Sequence, residues 1–292
     1  MTQPALRYRA LLLAAAVLFS TGGAAIKSAT LTGWQIACFR SAVAAAVLLL
    51  VLPEARRGWR WRIVPVAAAY AATLITFVLA NRLTTGADAI FLQSTAPLYL
   101  LLLGPVLLGE PARRADFLYI AAVLAGMAVF FLGSEPALET APNPAKGNLI
   151  AASSALAYAL MLAGLRWLAR RGNRDAAVAT VALGNVLASV ATLPLALPVA
   201  AGAGAGTGHN LAIILYLGVV QIGVAYFCLT RAMGHVPALQ AATLLMAEPA
   251  LNPLWTWLVR GERPGAWPLA GGAVILGATL ANTWRQSKEE TR

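Results

Sequence analysis

Long apolar runs, separated by short polar connections, dominate the chain from end to end. A helix needs about 20 mainly apolar residues to cross the hydrocarbon core of a bilayer, because unpaired backbone groups there are costly. The pattern therefore predicts an all-α integral membrane protein with ten spans. These spans are residues 10–26, 35–52, 63–81, 88–108, 115–133, 147–168, 176–198, 210–230, 238–259 and 267–284.

Composition excludes an ordinary soluble domain. Of the 292 residues, 60% are hydrophobic and only 11% are charged, a balance typical of membrane proteins. Because the connections are short, we expect any functional site to lie between the helices. The first run continues to Lys27 without a convincing cleavage site, so we interpret it as a retained helix. Cys38 and Cys228 lie in separate spans without metal-ligand spacing, and we predict neither a metal site nor a cofactor.

The formal charge of +11 reflects how the chain inserts in the membrane. If the N-terminus is cytoplasmic, 16 of the 22 basic residues fall in cytoplasmic segments, and Arg40 falls inside the second span. The five on the other face are Lys27, Arg82, Lys146, Arg260 and Arg263. This bias predicts that both termini are cytoplasmic and that the lipid bilayer is the partner of the basic loops. The scattered charge argues against nucleic-acid binding.

An internal repeat divides the chain into two halves. At an offset of 152 residues, Pro97 aligns with Pro249, Gly109 with Gly261, and Glu110 with Glu262. We predict a first repeat over residues 1–133, an external linker over 134–146, and a second repeat over 147–292 with a short cytoplasmic tail. Since each half crosses the membrane five times, the two halves must be inverted. Inverted repeats around a midplane site are typical of secondary transporters.

Prolines and charged residues at membrane depth are the first candidates for function. Pro97 and Pro249 are predicted to kink their helices near the midplane, either harmlessly or to shape a cavity. Glu248 could bind a substrate ammonium group or exchange a proton, or it could form a structural hydrogen bond. Arg40 is predicted to be structural, and Lys27 to extend towards the interface from the end of its span.

Polar and aromatic side chains within the spans form a second group of candidates. Asn81, Gln93 and Gln221 could line a water-filled cavity or hydrogen-bond to neighbouring helices. The side chains that suit an apolar or aromatic ligand are Phe19, Phe77, Tyr99, Tyr158, Met246 and Trp255. Glu110 and Glu262 directly precede a helix in each half, where the positive end of the helix dipole favours an acid.

The combination of ten spans, two five-span repeats and a shared Pro-to-Gly-Glu spacing resembles the EamA family of the drug/metabolite transporter superfamily. The general pattern is most similar to its aromatic amino-acid exporters of the YddG type. The resemblance implies a basket-shaped bundle in which the first, third, fourth, sixth, eighth and ninth spans surround a central cavity. It also implies the cavity residues Phe19, Phe77, Tyr99, Tyr158, Gln221, Met246 and Trp255. Ala96 aligns with Glu248, so an acidic role there exists in only one half.

The sequence thus predicts a secondary transporter of the bacterial inner membrane that exports amino acids, aromatic or neutral, or related small metabolites by alternating access. An importer or exchanger in the same superfamily is the alternative. A polytopic membrane enzyme or a lipid scramblase is the rival outside transport, although His209 and His235 are predicted on opposite faces. A monomer and a homodimer both remain open.

Overall fold

A computed structural model describes residues 3–107, 114–132, 138–170, 174–197, 207–233, 235, 244–245 and 247–290. Within these ranges the regular structure is helical, apart from an isolated bridge between Leu138 and Ala141. The helices are α1 (Gln3–Ser20), α2 (Gly22–Ser28), α3 (Gly33–Val51), α4 (Pro53–Arg56), α5 (Ile63–Leu83), α6 (Gly86–Gln93), α7 (Ala96–Leu107), α8 (Arg114–Phe131), α9 (Pro144–Arg170), α10 (Arg174–Ala196), α11 (Thr207–Leu215), α12 (Ala225–Met233), α13 (Ala247–Arg260) and α14 (Ala266–Glu290). A π-helical segment, π1 (Tyr216–Val224), joins α11 to α12.

Six helical stretches in the described part of the chain are long and apolar enough to cross a membrane. They are Arg7–Ser28, Gly33–Val51, Ile63–Leu83, Pro144–Leu168, Asp175–Ala196 and Thr207–Ala232. Two shorter apolar helices are Phe117–Val129 and Ala266–Asn282. The predicted fourth span is divided between α6 and α7 by a turn at residues 94–95. In the predicted ninth span, residues 244–245 and α13 are helical.

The two prolines predicted to kink their helices lie in different surroundings. Pro97 is the second residue of α7, after a turn at residues 94–95 that separates it from α6. The predicted fourth span is thus interrupted just before this proline, whose missing N–H has no intrahelical partner to lose in a first turn. Pro249 is the third described residue of α13, and residues 244–245 before it are helical as well. A kink at Pro249 stays a prediction.

Helices from the two predicted halves pack against each other. Helix α5 contacts α9 and α10, α3 contacts α10, and α1 contacts both α12 and α13. The largest buried apolar cluster joins α1, α5, α9, α10 and α12. Helices α8 and α14 form a separate pair that contacts α7 and α6. The centre of the bundle is consequently lined by side chains from distant parts of the sequence.

Candidate functional site

An aromatic cluster centred on Tyr226 occupies the middle of the bundle. The ring of Tyr226 meets the ring of Phe19 edge to face, with centroids 4.8 Å apart. The ring of Tyr70 approaches it in the same manner at 4.9 Å. Edge-to-face contacts of this kind add to the stabilisation from apolar burial. These ring contacts join α1, α5 and α12 around the hydroxyl group of Tyr226.

Glu248 lies beside this cluster, in the first turn of α13. Its carboxyl group interacts electrostatically with the hydroxyl groups of Tyr158 and Tyr226. The residue lies among the helices and keeps partial solvent exposure. Among the described residues, no hydrogen bond or ion pair neutralises Glu248. A carboxyl group at this depth must be neutralised, either by a proton or by a cationic group of a bound molecule.

Tyr99 and Tyr158 form the adjoining wall, where α7 meets α9. They belong to one apolar cluster with the small buried residues Ala96, Ala155 and Ala159. Both tyrosines keep intermediate exposure, in contrast to these alanines. The two rings are therefore placed where a ligand between α7 and α9 could contact them.

Gln93 lies near this wall but forms a contact within the protein. Its amide nitrogen donates a 2.8 Å hydrogen bond to the hydroxyl group of Ser154. Both side chains are buried, and the bond joins α6 to α9. This geometry favours the structural alternative for Gln93 over a cavity role.

The junction of α1 and α2 lies next to the aromatic cluster. Ser20, at the end of α1, accepts a 2.9 Å hydrogen bond from the indole nitrogen of Trp255. Thr21 and the hydroxyl group of Tyr216 share a hydrogen bond of 2.7 Å. The interruption at Thr21 thus connects α1 to α13 and to π1.

Three amide side chains surround the two glycines that follow. A Cβ at Gly22 would lie 2.7 Å from Nε2 of Gln221, and one at Gly23 would lie 2.5 Å from Oδ1 of Asn252 and 3.1 Å from Oδ1 of Asn81. The side chains of these three polar residues are buried. Only glycine allows α2 to approach them so closely.

The remaining predicted cavity residues are placed differently. Phe77 is buried in a second apolar cluster with Ile26, Phe91 and Leu217, and its carbonyl oxygen accepts a 3.0 Å hydrogen bond from Asn81. Met246 and the Gly109-Glu110 pair lie outside the described residues. The structure therefore brings Phe19, Tyr158 and Glu248 together around Tyr226, and it places Trp255, Gln221 and Asn81 at the α1–α2 junction.

Arg40 lies on another side of Tyr226. Its Nη2 donates a 3.0 Å hydrogen bond to the carbonyl oxygen of Leu74, and the residue is 1% exposed. The guanidinium group interacts electrostatically with Tyr70 and Tyr226, and no described acid pairs with it. Burial of a cation without an acid partner costs free energy, so the guanidinium group of Arg40 is an unusual charge in this part of the bundle.

Lys27 does not reach the interface as predicted, because its ammonium group is buried. Nζ lies 2.9 Å from Oε1 of Glu262, and it donates hydrogen bonds of 2.8 Å and 2.6 Å to the carbonyl oxygens of Thr84 and Thr140. Two of these contacts are hydrogen bonds to carbonyl oxygens, and the contact with Oε1 is an ion pair. The side chains of Lys27 and Glu262 are 2% and 1% exposed.

Glu262 meets a helix N-terminus, but not that of the helix that follows it. Its Oε2 accepts a 2.8 Å hydrogen bond from the backbone N–H of Gly86, the first residue of α6. The Thr84 hydroxyl group lies 3.0 Å from Oδ2 of Asp88 and 2.6 Å from Oδ1 of Asn148. Lys27, Thr84, Gly86, Asp88, Thr140, Asn148 and Glu262 form what we term the Lys27–Glu262 network.

Sequence reasoning missed this network, because each of its members is unremarkable alone. Lys27 and Glu262 were assigned to separate local roles at the ends of their own helices. The available signal was the position of Lys27 at the end of a long apolar run, where a charge needs a partner. Nothing in the local sequence identifies that partner as Glu262.

Comparison with known proteins gives the same picture of the fold. The chain is 27% identical over 283 residues to the pseudopaline exporter CntI of Pseudomonas aeruginosa strain UCBPP-PA14, covering 91% of this chain and 92% of that protein. The exporter of strain PAO1 is also 27% identical, over 279 residues. A crystal structure with 19% sequence identity superposes with a TM-score of 0.63 over 97% of this chain and 98% of that chain.

A family model described as the EamA-like transporter family matches residues 7–132 and 145–284. The resemblance to this family is thus confirmed, whereas a particular resemblance to aromatic amino-acid exporters stays a prediction. Because the two matched ranges make up most of the chain, the protein belongs to the EamA-like transporter family.

Proposed function

We propose that this protein is a secondary transporter that exports an amine-bearing small metabolite, an amino acid or a related compound, across a bacterial inner membrane. The observation that carries the proposal is Glu248, a deep and partly exposed carboxyl group without a cationic partner among the described residues. A substrate ammonium group would supply the missing charge. Membership of a transporter family supports movement of the ligand over its chemical conversion.

The surrounding residues suit an amine attached to an apolar or aromatic body. Tyr158 and Tyr226 interact with Glu248 through their hydroxyl groups, and the ring of Phe19 packs against Tyr226. Aromatic rings attract cations and also bury apolar surface. Arg40, on another side of Tyr226, is buried and contributes positive charge near the cluster without being exposed to a ligand.

Alternating access follows from the proposed ten-span topology with two inverted halves. The two ranges matched by the family model support the duplication, and the excess of basic residues in one set of loops supports cytoplasmic termini. In this arrangement Glu262 and the linker that contains Thr140 are external. The direction of transport, export, rests on the relatives, whose names describe exporters.

The similarity to CntI favours pseudopaline as a second candidate substrate. It is included with neutral and aromatic amino acids in the solute panel below. An importer or exchanger would bind the same panel but would differ in its preferred direction.

Solute counterflow in proteoliposomes tests the proposal. We expect the wild-type protein to exchange at least one solute of the panel, and Glu248→Gln to weaken the apparent affinity of that solute by about tenfold or more, because the carboxylate partner of the amine is lost. Glu139→Gln, which removes an exposed acid in the linker, is the matched control and should behave like the wild type.

Two further solutes make the assignment specific. For an amino acid that is exchanged, its decarboxylated amine should compete and its deaminated acid should not, because the amine is the group that Glu248 recognises. Exchange of no solute by folded protein would overturn the transport proposal and favour a lipid scramblase or a membrane enzyme. Equal affinity in wild type and Glu248→Gln would remove Glu248 from the binding site.

A further inference from the structure

The Lys27–Glu262 network is a buried set of charges near one end of the bundle. Lys27 belongs to α2, Gly86 begins α6, Asn148 lies in α9, and Glu262 lies between α13 and α14. The ion pair thus joins an element of the first matched range, residues 7–132, to one of the second, residues 145–284. If the two halves separated at this end, the ion pair would have to break.

The network follows the aromatic cluster along α1 and α2. From Phe19, in the aromatic cluster, the chain passes through the α1–α2 junction to Lys27. At 1.5 Å per helical residue, the backbone of Lys27 lies about 12 Å further along the helices than that of Phe19. Buried side chains of Asn81, Gln221 and Asn252 fill the intervening layer around Gly22 and Gly23. Buried side chains therefore separate the aromatic cluster from the ion pair.

The contacts are suited to a closure that is tight but reversible. Burial of two charges is offset only while they remain paired and hydrogen-bonded, so partial separation of the pair is unfavourable. In a fully separated state, water entering from this end would solvate both groups. The network therefore favours two discrete states, closed and dry or open and hydrated.

We infer that the Lys27–Glu262 network is the gate at this end of the transporter, and that the ion pair separates in the state that opens there. The inference rests on the proposed transport function, and in the proposed topology the gate is external. Lys27 and Glu262 act on access to the cavity and are not assigned to substrate binding. In a gate of this kind, weakening the pair opens the end even when no substrate is present.

Thiol accessibility measures this opening without transport. In a background with Cys38→Ser and Cys228→Ser, the reporter is Thr21→Cys, placed at the partly exposed α1–α2 junction between the cavity and the gate. A membrane-impermeant maleimide is applied from the side of Lys27. We expect Lys27→Met and Glu262→Gln to raise the labelling rate by about tenfold or more relative to the intact gate.

The chain offers a matched control pair. Arg231 and Glu54 also form an ion pair between the two matched ranges, with a separation of 3.2 Å, but their side chains are 55% and 34% exposed. Glu54→Gln and Arg231→Gln should leave the labelling of Thr21→Cys unchanged, because an exposed pair contributes little to closure.

A milder variant distinguishes an opened gate from a misfolded protein. Glu262→Asp keeps the charge but shortens the side chain, and it should raise labelling by less than Glu262→Gln. Helix content and monodispersity establish that each variant is folded before labelling is compared.

The outcomes separate the gate from the transport proposal. Wild-type labelling rates in folded Glu262→Asp and Glu262→Gln would overturn the gate and leave a purely structural ion pair, whatever the counterflow result. Faster labelling in these variants would support the gate even if no solute of the panel were exchanged. Failure of counterflow alone would therefore count against the proposed function only.

Discussion

Gly22 and Gly23 carry the closest helix contact in the candidate site. At Gly23, a side chain would enter the space occupied by Oδ1 of Asn252 and approach Oδ1 of Asn81. Both amides are fully buried, so neither can move into solvent to make room. At the scale of single residues, the position of α2 therefore depends on the absence of two side chains.

We predict that Gly23→Ala lowers the free energy of unfolding by about 1 to 3 kcal/mol, the typical cost of overpacking a well-filled interior. Denaturant titration of the protein in detergent micelles measures the change. Gly277→Ala is the matched control, because nothing lies within 4 Å of a Cβ at Gly277. Replacing this helical glycine should leave stability unchanged or raise it slightly. Equal losses in both variants would contradict the packing argument.

At the scale of whole elements, α8 and α14 form a pair at the side of the bundle. Their contact is close at Gly126, where a Cβ would lie 2.9 Å from Cγ1 of Ile275 and 3.1 Å from the carbonyl oxygen of Gly271. Tyr119 and Thr279 share a buried hydrogen bond of 3.2 Å across the same pair. Small residues at such contacts allow helices in a membrane to pack by close van der Waals approach.

We predict that Gly126→Leu separates α8 from α14 and lowers the thermal stability of the purified protein, because its side chain meets backbone as well as side-chain atoms. Gly277→Leu places the same side chain in open space on α14 and should have a much smaller effect. Thermal unfolding followed by circular dichroism compares the two variants. The idea of a glycine-dependent pair would be falsified if Gly277→Leu were the more damaging of the two.

At the scale of the whole molecule, helices of the two matched ranges interleave and do not form separate bodies. Helix α5 packs on α9 and α10, and α1 packs on α12 and α13. The aromatic cluster and the Lys27–Glu262 network each take residues from both ranges. Relative movement of the halves would therefore change the cavity and the gate together.

The proposed topology has a direct test in intact cells. In the same cysteine-free background, we expect Leu138→Cys and Arg263→Cys to react with an impermeant maleimide from outside, and Trp61→Cys to react only after the membrane is permeabilised. All three positions are exposed in the structure. Three predicted spans separate residue 61 from residue 138, and four separate residue 138 from residue 263. Labelling of positions 138 and 263 from opposite sides would rule out this arrangement.

The amino-acid sequence alone determined the class of protein and the approximate course of its helices. Apolar runs identify membrane helices because the free energy of transfer into lipid is a local sum over neighbouring residues. The same local pattern identified Glu248 as a charge that needs an explanation, and it named Phe19 and Tyr158, which the structure places near Tyr226. The offset between the two Gly-Glu pairs could likewise be read without coordinates, since it depends only on residue identity and spacing.

Only the tertiary structure decided which side chains meet. It showed that Gln93 bonds to Ser154, that Phe77 is buried away from Glu248, and that Pro97 begins a helix. It also paired Lys27 with Glu262, although each residue has a plausible local role in its own segment. Local patterns report what a residue needs, such as burial, a hydrogen bond or a counter-charge. The partner that meets the need is selected by packing between helices far apart in the chain, and this depends on the whole arrangement.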